Sequence, residues 1–236
     1  MLQFATLNMD KAERESRLMA KESFQFETQL EHLKTHRGWR KGNIHMFLGT
    51  AGSGKSTAMR TYLIDFLRNN PEKKIGVWLS EETTEDLKNE WARIDDPELL
   101  PLMERVIVVS EMEGMNRGSL LELKENFREF VTGRFAYCNP DILFFDNITT
   151  SAMYETQHIN VQTQMQGWFK EICIETNKPF LFFAHTDGKI TDNITRLIDM
   201  NDIRGSKGIN SLAQYYYVSQ RFEINNLFFP TLKLRK

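Results

Sequence analysis

The residues whose types and spacing could do chemistry begin at 49–56, Gly49-Thr50-Ala51-Gly52-Ser53-Gly54-Lys55-Ser56, which match the pattern G-x-x-x-x-G-K-[ST]. Glycines let a backbone curl until successive N–H groups point at phosphate oxygens. Lys55 would bring a positive charge to the β and γ phosphates, and the Ser56 hydroxyl would ligate Mg²⁺. A helix starting at Lys55, with Thr57 in its first turn, adds the positive end of its dipole to the same place. The expected ligands are ATP and Mg²⁺. The plain alternative is a glycine-rich turn, but here the pattern sits between a strand-like and a helix-like segment, as the chemistry requires.

A second group fits the first. Asp146 ends the apolar run ILFFD, and a carboxylate at such a strand end would hold the Mg²⁺, usually through a water. Glu81 and Glu82 follow the strand-like IGVWLS. A carboxylate at a strand's C-terminal end beside a phosphate loop is well placed to polarise an attacking water. Either could serve, because strand alternation sends adjacent side chains to opposite faces.

These residues need a scaffold, and the hydrophobic pattern supplies one. Strands are expected at 44–48, 75–80, 105–110, 142–146 and 180–184, the last two nearly continuous apolar runs of the kind buried on both faces. A helix is expected over 55–69, with Met59, Tyr62, Leu63, Phe66 and Leu67 on one side. Thr83 with Asp86 caps the next helix, whose inner face is Leu87, Trp91 and Ile94. Ser119 with Glu122 caps another that buries Leu120, Leu123, Phe127 and Phe130 and ends at Gly133. Val161, Met165, Trp168 and Ile172 mark one more, which must stop before Pro179. Residues 186–206 read as a long polar loop. Residues 213–224 and 227–235 read as a hairpin turning at Asn225-Asn226. Alternating strands and helices predict an α/β fold: a mostly parallel twisted sheet with helices on both faces and an antiparallel C-terminal hairpin.

With these motifs in place the chain resembles the RecA-type P-loop ATPase core, within it the branch of DnaB-like replicative helicases, RepA-like plasmid helicases and KaiC-like ATPases. The resemblance covers about 25–236, so the expected domains are a charged arm or linker helix at 1–25 and an ATPase domain at 26–236. The arm stands where DnaB-type helicases carry a large N-terminal domain. WLSEET is similar to that family's Ser-x-Glu, which implies Glu82 as catalytic base, with Glu81 as the neighbouring alternative. Ala184-His185-Thr186 is similar to the His-Thr ending of the RepA-like branch, which implies that His185 feels the γ-phosphate. Ile203-Arg204-Gly205-Ser206 resembles the segment before the last strands. The loop ahead of it would face a central channel and touch single-stranded DNA through Lys189 and Arg196, although aspartates offset their charge. Lys233 and Arg235 resemble the Lys-x-Arg pair that reaches into a neighbouring subunit's site, which implies a hexameric ring.

Composition narrows the field. Lys plus Arg is 30 against 32 Asp plus Glu, a formal charge of −2, so contact with nucleic acid must come from local loops. Two cysteines 35 positions apart, with no CxxC pair, exclude a zinc ribbon. No apolar run approaches the roughly 20 residues that span a bilayer, and the first residues lack the apolar core of a signal peptide, so the expected address is the cytoplasm, with no membrane contact. The expected function is a ring-forming, ATP-driven motor on single-stranded DNA, a replicative-type helicase. The alternatives are a RecA- or KaiC-like ATPase that does not unwind, and a P-loop kinase for a small metabolite.

Overall fold

The computed structural model describes residues 25–35, 38–94, 96–113, 119–133, 139–155, 157–186, 198–205, 211–224 and 227–235, with backbone alone from 221 onward. Its elements run β1 (Gln25–Phe26), α1 (Glu31–Lys34), β2 (Trp39–Arg40), β3 (Ile44–Gly49), α2 (Lys55–Asn69) and β4 (Ile75–Leu79). Then come α3 (Thr84–Ala92), α4 (Leu99–Met103), β5 (Val106–Ser110), α5 (Leu120–Thr132) and β6 (Ile142–Asp146). Last are α6 (Ile159–Thr176), β7 (Phe180–His185), β8 (Tyr215–Ile224) and β9 (Leu227–Arg235). Seven strands form one sheet in the order β5-β4-β6-β7-β3-β8-β9. The first six are parallel, and β9 returns antiparallel to β8.

Each face of the sheet has its own core. Met59, Tyr62, Leu63 and Phe66 of α2 and Leu87 and Trp91 of α3 pack with Val77, Phe144 and Phe183. Phe127 and Phe130 of α5 and Met165, Phe169 and Ile172 of α6 pack with Trp78, Phe145 and Phe182 on the other side. Trp78 meets Phe127 edge-on with ring centroids 5.3 Å apart, a geometry that adds about 0.5–1.5 kcal/mol beyond burial. Burial on both faces explains why the central strands read as unbroken apolar runs.

The expected helix over 55–69 is present with those limits. Both capping boxes form, Thr83 with Asp86 and Ser119 with Glu122, and Gly133 closes α5 at φ 74°. Three expectations change. The small pair β1–β2 and the one-turn α1 fill a stretch given no structure, held because Phe26 packs edge-on against Phe66 at 5.2 Å. Phe169 takes the buried position on α6, while Trp168 is half-buried with the Lys124 ammonium 4.9 Å above its ring. The far end of 186–206 is not a solvated loop: Ile198 and Ile203 are buried, Met200–Asp202 forms a 3₁₀ turn, and Thr186 bridges Ile203.

Candidate functional site

The parallel strands end together. Gly49 is level with His185 on one side and Ser219 on the other, and Leu79 is level with Asp146. The C-terminal ends of β3, β7, β6 and β4 therefore form a row, with the middle of β8 beside β3, and the residues singled out in the sequence gather along it. Open parallel sheets place their ligand crevices at this end.

Residues 49–55 fold tightly over the end of β3. A Cβ on Gly49 would lie 2.2 Å from Ser53 Oγ, so any other residue there would displace that buried hydroxyl. Gly54 is the N-cap of α2 at φ 93°, a conformation that suits glycine. Lys55 is buried, and its Nζ donates to the carbonyls of Gly49 at 3.2 Å and Thr50 at 2.9 Å. Burial lowers its pKa, against the pull of the Asp146 and Glu81 carboxylates. Ser219 Oγ donates to the Ser53 carbonyl at 2.8 Å and ties the loop to β8. Ser53 Oγ is buried and has no hydrogen-bond partner among the described residues. Ser56 and Thr57 occupy the first turn of α2, half-buried and exposed respectively. A buried hydroxyl without a partner, under a cationic side chain at a helix N-terminus, fits an anion such as a phosphate.

Three carboxylates gather at the ends of β6 and β4, and two of them, Asp146 and Glu81, act on Lys55. Asp146 is 9% exposed. Burial first, then repulsion from Glu82 and Glu81, pushes its carboxyl up to about 7. The strand β4 stops at Leu79 and Ser80–Glu82 bends, so the expected alternation does not reach Glu81 and Glu82. Both act on Asp146. Glu81 Oε1 accepts from Asn147 Nδ2 at 3.2 Å and pairs with His185 Nε2 at 3.3 Å. The His185 hydrogen bond is the main cause that holds its carboxyl below the usual range. Glu82 has its Oε2 buried without a partner among the described residues. Burial raises its pKa, Arg60 opposes that, and Asp86 and Glu81 add to it.

His185 is fixed by its backbone. Its N–H donates to Thr149 Oγ1 at 3.0 Å, and its carbonyl accepts from the Arg204 N–H at 3.0 Å. Thr149 Oγ1 in turn donates to Asn147 Oδ1 at 2.5 Å. The Thr186 N–H donates to the Gly49 carbonyl at 3.3 Å, joining the end of β7 to the start of the glycine-rich loop.

The structure thus brings together Gly49 to Thr57, Glu82, Asp146 and His185, with Glu81 beside them. Lys189 and Arg196 lie outside the described residues. Lys233 and Arg235 stand on the edge strand β9, level with Val218 and Tyr216. Arg60, Asn147 and Thr149 belong to the site and were missed. Arg60 could have been found, because it follows Ser56 by four positions on the same helix face. The asparagine and threonines after Asp146 carry no spacing signal.

Neither a family model nor a curated protein sequence matches this chain. Fold and site define its class by structure: an α/β domain with a six-stranded parallel sheet and helices on both faces. Among the described residues no helix is long and apolar enough to cross a membrane.

Proposed function

We propose that this chain is a RecA-type ATPase that hydrolyses Mg-ATP and, as a ring of six copies, drives movement on single-stranded DNA in the manner of a replicative helicase. The observation that carries the reading is the loop at the end of β3. Its lysine lies over the loop's own carbonyls and a buried serine hydroxyl beneath it lacks a partner. Residues 49–57 would wrap the phosphates, and Lys55 would swing from the Gly49 and Thr50 carbonyls to them.

Ser56 and Asp146 would hold the Mg²⁺. Among the described residues no group of three or more His, Cys, Asp and Glu could hold a metal, so the nucleotide's oxygens would complete its shell. Mg²⁺ supplies neutralisation of phosphate charge. Glu82 would take the proton of the attacking water, a role that needs an open lone pair; its free Oε2 supports this over Glu81, whose Oε1 is engaged. His185 would sense the γ-phosphate through Glu81 and pass that state to the segment after Thr186, where Lys189 and Arg196 would meet DNA. Lys233 and Arg235, on the sheet's edge, would act on the neighbouring copy's nucleotide, a trans contact worth about 10³–10⁵ in rate.

The near-neutral charge of the 187–197 segment favours a second reading, an ATPase of the same site that does not unwind. One experiment separates them: ATP turnover with and without single-stranded DNA, with light scattering in a non-hydrolysable ATP analogue. The helicase reading expects turnover stimulated by DNA and a hexamer. Turnover indifferent to DNA leaves the second reading, and folded protein without turnover rejects both.

A further inference from the structure

Beside Glu82 lies a residue able to silence it. Arg60 stands on α2 one turn beyond Ser56, on the same face. Its charge acts on both Glu82 and Asp146. Its Nη2 donates to Glu90 Oε2 on α3. The other edge of the guanidinium is different: Arg60 Nε is buried without a partner among the described residues, as is Glu82 Oε2. A buried donor and a buried acceptor left unpaired each bear the full cost of lost water. Two such groups, close enough for the charge of one to act on the other, would gain by joining, and the guanidinium is instead engaged with Glu90.

We infer that the Arg60–Glu90 pair is a switch on the base. While the pair is closed, no donor occupies Glu82 Oε2 and its lone pair stays uncommitted. When it opens, Arg60 Nε–H donates to Glu82 Oε2 and occupies the lone pair that would take the proton. The placement couples this to motion of α3. Glu82 lies two residues before Thr84, the first residue of α3, and Glu90 lies within that helix, so a shift of α3 against α2 moves the base and its guard together. Glu90 is therefore a positioning residue that acts through Arg60 and touches no substrate. The inference rests on Glu82 being the base.

The test compares kcat and KM for wild type, Glu90→Ala, Arg60→Gln and the double variant at saturating Mg-ATP, with thermal midpoints alongside. Glu90→Ala should lower kcat about tenfold, the scale of a hampered general base, with KM unchanged. In the Arg60→Gln background the same Glu90→Ala change should cost nothing, because no guanidinium remains to quench Glu82. Glu90→Gln, which keeps the side chain's length, should repeat this pattern more weakly. Wild-type kcat in Glu90→Ala, or a loss that persists without Arg60, overturns the switch alone. Full turnover in Glu82→Gln overturns the base assignment and the switch with it.

Discussion

Two glutamates lie just past the ends of neighbouring strands, Glu82 after β4 and Glu111 after β5. Glu111 is buried and fully engaged. Its Oε1 accepts from Trp78 Nε1 and Ser151 Oγ, each at 2.6 Å, and its Oε2 from the Ala152 N–H at 2.8 Å. Those bonds tie the aromatic core to the segment that follows Asp146. Glu82 has a buried oxygen with no such donor, and only its backbone is tied, by Ser110 Oγ at 2.7 Å to its carbonyl. The same residue type thus serves opposite ends. A carboxylate whose lone pairs are filled fixes a scaffold; one left open keeps its capacity to take a proton, at a cost in stability that the fold carries.

The contrast can be broken by substitution. The largest effect is expected at the phosphate loop: Lys55→Ala should lower ATP turnover by at least about 10³-fold, since a pre-placed charge on the transferring group is lost. Steady-state ATPase measurement checks it. Next comes the scaffold glutamate. Glu111→Ala should destabilise the fold by about 2–4 kcal/mol, because three buried donors lose their acceptor, as read by urea denaturation.

Asp146→Asn should move stability the other way. The folded chain holds a proton on Asp146 up to about 7, whereas its ordinary value is 3.8. The folded state therefore binds more protons than the unfolded one between those values, and stability falls as pH rises through them. Asparagine removes that penalty, so the variant should be more stable than wild type by about 1–3 kcal/mol at pH 8 and little different near pH 4. Mg-ATP should raise the thermal midpoint of wild type more than that of the variant. The smallest effect is remote from the site: Ser119→Ala, which removes one half of a capping box, should cost about 1 kcal/mol with turnover unchanged.

Much of this was legible in the sequence, for reasons that differ by residue. The parallel order of strands followed from ILFFD and FLFFA, since runs apolar at every position need cover on both faces. Residues 49–56 stood out because a glycine-rich turn, a lysine and a hydroxyl fall at fixed spacing between a strand and a helix, and the structure places that turn between β3 and α2. Strand alternation did not separate Glu81 from Glu82, because the strand ends two residues before Glu81, and it was the family resemblance that favoured Glu82. Glu111 was invisible: its partners Trp78 and Ser151 lie 33 and 40 positions away, and nothing local marks a carboxylate whose donors are that distant. Arg60 lay within reach of helical spacing, but its meaning depends on Glu90 of the facing helix.

The most direct measurement of the central claim is the rate of ATP hydrolysis at saturating Mg-ATP by Glu82→Gln beside Glu81→Gln, with nucleotide binding measured on both. Glutamine keeps the size of the side chain and loses its basicity, so Glu82→Gln should bind Mg-ATP yet lose about 10²–10⁴ in turnover. Glu81→Gln should stay within a few-fold of wild type. The reverse ranking would place the base on the carboxylate paired with His185, and the unpartnered oxygen of Glu82 would then have no part in the chemistry.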